Sequence, residues 1–139
     1  MTRFADPAFF AEAQSERLAL LHRRARVLEF GCGSGATGAL ALREGRCAAW
    51  TGIDANAPSE ALFALSEVLP SAEHLQAASF DVIFAPADGE TRALAALLAP
   101  GGWLYLDGAD KSALKALRKA GLMALAASAG GVRGMKPRP

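Results

Sequence analysis

Two stretches of this sequence could do chemistry. The first is Glu29-Phe-Gly-Cys-Gly-Ser-Gly35, a carboxylate leading into a turn where Gly31, Gly33 and Gly35 carry no side chain and Cys32 a small one. Glycines permit positive φ and let a ligand approach the main chain with no Cβ in the way. The second is Asp54, about twenty residues beyond that turn, followed by the small residue Ala55. A carboxylate there can accept two hydrogen bonds from vicinal ribose hydroxyls, each charge-assisted bond contributing roughly 1.5–3 kcal/mol. Asp54 could instead cap the helix after it, although Asn56 and Ser59 are also able to do that. Gly33-Ser-Gly35-Ala-Thr-Gly38 fits G-x-G-x-x-G as well, a pattern that alone would equally suit a dinucleotide.

These residues need a scaffold that brings them to one edge. Val27, Leu28 and Phe30 read as a short buried strand, and Ala36 to Glu44 as a helix with Gly45 past its end. Strand, glycine turn and helix in that order present unpaired backbone N–H groups at the mouth of a sheet. Ala48–Asp54 is a second buried strand ending in the carboxylate, and Pro58 to Leu69 reads as a helix stopped by Pro70. The stretch from Ser71 to Ser79 is ambiguous between a vestigial strand and none. Phe80–Ala85 is a strand closed by Pro86, Thr91–Ala99 a helix, and Trp103–Asp107 a strand entered through Pro100-Gly-Gly102. Asp110 caps a helix running to Lys119, with Gly121 behind it. Leu122–Ala127 and Val132–Lys136 read as a closing β-hairpin. At the front, Asp6-Pro7 starts a helix whose apolar residues, among them Phe9, Phe10, Leu18 and Leu21, extend it to Arg24.

Strands alternating with helices imply an α/β domain with a mostly parallel sheet covered on both faces and an antiparallel hairpin at its end. Such sheets bind ligands beyond the carboxyl ends of their strands. Four segments end there: the Gly31–Gly35 turn, Asp54, Ala85–Asp88 and Asp107-Gly108. Asp88 could act as a general base or cap the helix from about Thr91. His74 reads as a loop histidine, and Trp103 and Tyr105 as sheet-face residues.

The bulk composition excludes several classes. At 139 residues the chain is expected to be one domain, 1–139, with a helix over 1–25 and the core over 26–139. A net charge of +1, from 15 basic and 14 acidic residues, gives no electrostatic case for nucleic acid or an anionic membrane as main partner. Arg17, His22, Arg23, Arg24 and Arg26 read as a solvated helix face. Cys32 and Cys47 form no metal-ligand spacing with each other or with His22 and His74. No apolar run is long enough to span a bilayer and the N-terminus lacks a signal-peptide core, so a cytoplasmic setting is expected.

Taken together, Glu29–Gly35 resembles the first motif of the class I S-adenosylmethionine-dependent methyltransferases. Trp50-Thr-Gly-Ile-Asp54 is similar to their second strand with its ribose-binding acid. Phe80-Asp-Val-Ile-Phe and Leu97-Leu-Ala-Pro-Gly-Gly-Trp-Leu-Tyr-Leu resemble their fourth and fifth strands. The resemblance runs from about Arg26 to Lys136 and implies a Rossmann-like doubly wound fold, with the third strand shortened or missing because the span from Asp54 to Phe80 is short. It implies S-adenosylmethionine as cofactor, held by Glu29, Gly31, Cys32, Gly33, Gly35, Asp54 and Ala55. The glycines would pack on its amino-acid part. Glu29 would help hold the ammonium end and favour the sulfonium charge, or else satisfy the turn's own N–H groups. The family's adenine-holding acid has only Glu73, His74 and Gln76 as counterparts here.

The expected activity is methyl transfer to a small molecule, with Asp88 as the candidate catalytic residue. A chain this short leaves room for a second copy or another protein to complete the pocket. A non-catalytic scaffold of the same fold is the alternative. The second half also resembles the methyltransferase-like domain of anamorsin-type iron–sulfur assembly proteins, which lack a normal cofactor loop, whereas the glycines here are intact. A nicotinamide-dependent oxidoreductase would have the loop and the acid, but the chain offers no proton-donating Tyr/Lys pair.

Overall fold

The computed structural model describes residues 14–32, 35–55 and 65–139. The expected helix start at Asp6-Pro7, Gly33 of the turn, and the capping residues Asn56 and Ser59 lie outside them. Residues 14–18 are helical and are labelled α1. Then follow β1 (Arg26–Phe30), α2 (Ala36–Arg43), β2 (Ala49–Ile53), β3 (Glu67–Leu69), β4 (Phe80–Pro86), α3 (Thr91–Leu97) and β5 (Leu98–Asp107). A single 3-10 turn (Lys111–Ala113) leads into α4 (Leu114–Lys119), β6 (Met123–Ala127) and β7 (Gly131–Met135). The seven strands form one sheet in the order β3-β2-β1-β4-β5-β7-β6.

All pairings from β3 to β5 are parallel. β7 is antiparallel to both β5 and β6, so it is an inner strand, and the edge strand β6 runs in the parallel direction. The antiparallel hairpin expected from the sequence closes the sheet, with its second strand inside its first. Each strand feeds one residue set to each face. Val27, Trp50, Val82, Phe84 and Tyr105 pack with Ala41 of α2 and with Leu20 and Leu21 behind α1. Leu28, Ile53, Ile83, Ala85, Leu104 and Leu106 pack with Leu94 of α3 and Leu117 of α4. Burial on both faces is what a parallel sheet requires.

Two expectations are corrected. Residues 67–69, read as the end of a helix, form the third strand: Thr51, Gly52 and Ile53 pair with Glu67, Val68 and Leu69. Edge pairing to β2 overrides local propensity over three residues. Residues 70–79 then hold turns and no strand. Pro100-Gly-Gly102, read as a turn, lies within β5, where Gly101 takes φ 82° and the register to β4 shifts between Phe80 and Val82. The third strand is thus short, and its crossover to β4 carries no helix. The sheet face beside α3 is left partly uncovered as a consequence.

Candidate functional site

The glycine turn forms because β1 keeps pairing with β2 past its last residue. Gly31 N–H donates to Ile53 O at 2.7 Å, and the chain then bends with Gly31 at φ 73° and Gly35 at φ 83°. Gly35 N–H closes the bend on Cys32 O at 2.9 Å. Gly35 is also the N-cap of α2 and offers no side chain to its first turn, and among the described residues no side chain caps it. Among the described residues, a Cβ built on Gly31 would meet nothing within 4 Å, so the turn borders open space at that residue. At Gly38 and Gly52 the missing side chain serves packing. A Cβ on Gly38 would come within 2.6 Å of Leu65 and Trp50, and one on Gly52 within 2.5 Å of Cys32 Sγ. The third glycine of the G-x-G-x-x-G match therefore fits helix to sheet.

Asp54 stands one strand away, half-buried at the end of β2, with its N–H donating to Leu69 O at 3.0 Å. Ala55 is exposed beside it. Behind this edge, where the crossover after β3 lacks a helix, lies a groove of about 340 Å³. Phe30, Ala72, Ala85, Pro86, Leu94 and Leu97 line it, an apolar slot with Glu90 at its margin. Of the segment after β3, Ala72 and Leu75 turn toward the core, while Glu73, His74 and Gln76 are exposed.

Glu29 is buried, and both its oxygens are engaged inside the protein. Oε2 accepts from Arg17 in an ion pair, and Oε1 accepts from Trp50 Nε1 at 3.3 Å. Arg17 is therefore no part of a solvated face. Its guanidinium lies over the Phe84 ring, 4.6 Å from the centroid, and its Nε is 3.7 Å from Asp107 at the end of β5. His22, Arg23, Arg24 and Arg26 are exposed as read, Arg26 at the start of β1 and pairing with Asp81 at 3.1 Å. Next to Arg17, Glu16 accepts from Tyr105 Oη at 2.7 Å and Ser128 Oγ at 2.8 Å. Gln14 donates to Thr37 in α2 at 3.4 Å. The end of α1 is thereby fastened across β1, β4, β5 and the β6–β7 turn. Sequence reading missed this strap because nothing local distinguishes a buried arginine from an exposed one; only the facing acids do.

The electrostatics follow from that arrangement. Burial raises the Asp107 carboxyl, with Arg17 pulling it down and Glu29 pushing it up. Burial, then Glu16 as hydrogen-bond acceptor, raises the Tyr105 hydroxyl strongly, so it stays a donor. The Cys32 thiol is raised by burial and by the charges of Glu29 and Asp54, which opposes a nucleophilic role. Asp88 is exposed in the turn after β4. It does not cap α3: that place belongs to Glu90, whose carboxylate accepts from Ala93 N at 2.8 Å. Among the described residues no group of three or more His, Cys, Asp or Glu could hold a metal ion, and no helix is long and apolar enough to cross a membrane.

The sequence matches no protein-family model and no curated protein. Its structure is similar to that of 1,6-didemethyltoxoflavin-N1-methyltransferase from Burkholderia thailandensis, solved with 1,6-didemethyltoxoflavin and S-adenosylhomocysteine (TM-score 0.68, 20% identity, 96% of this chain and 80% of that one). It is also similar to a SAM dependent methyltransferase from Archaeoglobus fulgidus (TM-score 0.66, 15% identity, 89% and 73%). A third similar structure is the N-methyltransferase NodS from Bradyrhizobium japonicum WM9 (TM-score 0.63, 18% identity, 96% and 99%). At these identities the likeness is one of fold, and this chain has the Rossmann-like fold of the class I S-adenosylmethionine-dependent methyltransferases.

Proposed function

We propose that the chain binds S-adenosylmethionine at the rim of its sheet and transfers the methyl group to a small-molecule acceptor. The observation that carries this reading is the open space at Gly31, set between the start of α2, which no side chain of the described residues caps, and the Asp54 carboxylate at the end of the neighbouring strand. The Burkholderia enzyme of the same fold is solved with S-adenosylhomocysteine, the demethylated form of that cofactor.

In this reading Gly31, Gly33 and Gly35 lie against the amino-acid part, where Cys32 and Ala55 leave room by being small. Asp54 accepts from the ribose hydroxyls. The flat adenine base fits the apolar groove, which takes over the adenine-holding role expected of Glu73, His74 or Gln76. Glu29, already engaged by Arg17 and Trp50, holds α1 and β2 to the base of the turn. The bound cofactor supplies an electrophilic methyl group. The protein aligns an acceptor in line with it and excludes water, and such positioning alone can be worth about 7–11 kcal/mol. Asp88, exposed beyond β4, would take the acceptor's proton.

Calorimetric titration with S-adenosylmethionine, S-adenosylhomocysteine and NAD tests this. Micromolar binding of the first two and none of the third is expected, and silence with all three refutes the reading. Asp54→Ala should weaken binding of both adenosyl ligands by about 2 kcal/mol through the lost ribose bonds. Unchanged affinity in that variant removes Asp54 from the site. Binding with no methyl transfer to any acceptor would favour the non-catalytic module of the same fold.

A further inference from the structure

The strap beneath the rim contains more negative charge than it can neutralise. One guanidinium, Arg17, lies over β4 between two carboxylates, Glu29 on β1 and Asp107 on β5. Glu29 is engaged on both oxygens, and its side chain is 9% exposed. Asp107 is different. Its side chain is 30% exposed, and among the described residues the cation that pairs with it is Arg17, whose Nε lies at 3.7 Å, too far for a hydrogen bond. Arg17 Nε is itself buried with no hydrogen-bond partner. The triad therefore retains one formal negative charge, located on its more open member.

The register says where that charge lies. Glu29 is opposite Phe84, and Phe84 is opposite Tyr105. Asp107 is two residues beyond Tyr105 on the same face, and Gly31 is two residues beyond Glu29. Asp107 thus stands one pleat beyond Tyr105, on the edge where β1 gives way to the glycine turn and two strands from it, about 10 Å by strand spacing. In the cofactor reading the sulfonium adjoins the amino-acid part held at the turn, and over a distance of about 10 Å, at an effective dielectric of about 20, opposite unit charges favour association by roughly tenfold.

We propose that Asp107 is the residue by which the site distinguishes the charged methyl donor from its neutral product. The carboxylate attracts the sulfonium cation, and the attraction ends when the methyl group has left. Glu29, the acid of the glycine motif, cannot make this distinction because Arg17 matches its charge. This inference rests on the cofactor reading above. It adds that the donor is held more tightly than the product, a bias toward release after transfer.

The test is titration of the wild type, Asp107→Asn and Asp107→Glu with S-adenosylmethionine and S-adenosylhomocysteine at pH 8 and low salt. Asp107→Asn is expected to lose about five- to tenfold in affinity for the cationic ligand and to keep its affinity for the neutral one within twofold. Asp107→Glu, which keeps the charge, restores the preference. Asp107→Ser repeats the measurement should the asparagine variant not fold. Equal losses for both ligands, or no loss for either, overturn the inference and leave the cofactor reading intact. Failure of the wild type to bind either ligand overturns both.

Discussion

Arg17 shows how a single residue's role is decided by what faces it. Its guanidinium is buried between Glu29 and Asp107 and rests on Phe84. Removing a cation from such a place leaves carboxylates without their counter-charge, and breaking a buried pair typically costs about 3–5 kcal/mol. Arg17→Met should lower stability to urea by about that amount, and adding Glu29→Gln to the same chain should recover part of it. Additive losses in that double-mutant cycle would show the two side chains to be uncoupled. Asp107 makes a second prediction, with the opposite sign from an ordinary ion pair. Its folded carboxyl is raised, so ionising it destabilises the fold progressively as pH climbs from about 4 through the raised value. Asp107→Asn should therefore unfold at a higher temperature than the wild type at pH 7, with the gap closing near pH 4. Asp81 behaves in the reverse way. Burial raises it, but the hydrogen bonds and charge of Arg26 outweigh that and hold it below the usual range. Its contribution is present above about pH 4 and is lost as the solution is acidified below that.

At the scale of elements, the glycine turn and β2 approach each other closely through the Cys32 side chain. Cys32 Sγ lies where a Cβ on Gly52 would be, and Leu65 presses on the same spot. Gly52→Ala must push the turn away from β2, and overpacking of this kind costs about 1–3 kcal/mol. We expect lower stability together with weakened S-adenosylhomocysteine binding, although residue 52 is buried within β2. Normal affinity in a destabilised Gly52→Ala protein would mean that the turn's position does not govern binding. The groove beside α3 is a property of elements too. It exists because the crossover of residues 70–79 is too short to build a helix over Phe30, Ala85 and Leu94.

For the molecule as a whole, the proposed ligand should act as a staple. It would bridge β1, β2 and α2, and anything that binds only the folded chain stabilises it by mass action. That is about 2.7 kcal/mol when the ligand is at a hundredfold excess over its dissociation constant. S-adenosylhomocysteine at that excess should raise the thermal midpoint by several degrees, whereas NAD at the same concentration should leave it where it was.

The elements with strong local signals are legible in the amino-acid sequence by itself. Val27-Leu28 and Val82 to Phe84 are apolar runs that only a two-sided core can use, Trp50 and Ile53 bracket a third buried stretch, and each is an inner strand. The order of glycines and Asp54 likewise dictates a bare turn beside an acid, because conformational freedom at glycine is a property of the residue itself. Contacts between distant segments cannot be read in this way. The three-residue β3 exists only through its pairing with β2, and the inner place of β7 follows from pairing with both β5 and β6. Arg17 turns from a surface cation into the centre of a buried triad because strands 12 and 90 residues further along present carboxylates to it. A charge's role depends on its neighbours in space, and only the folded chain brings Arg17, Glu29 and Asp107 within reach of one another.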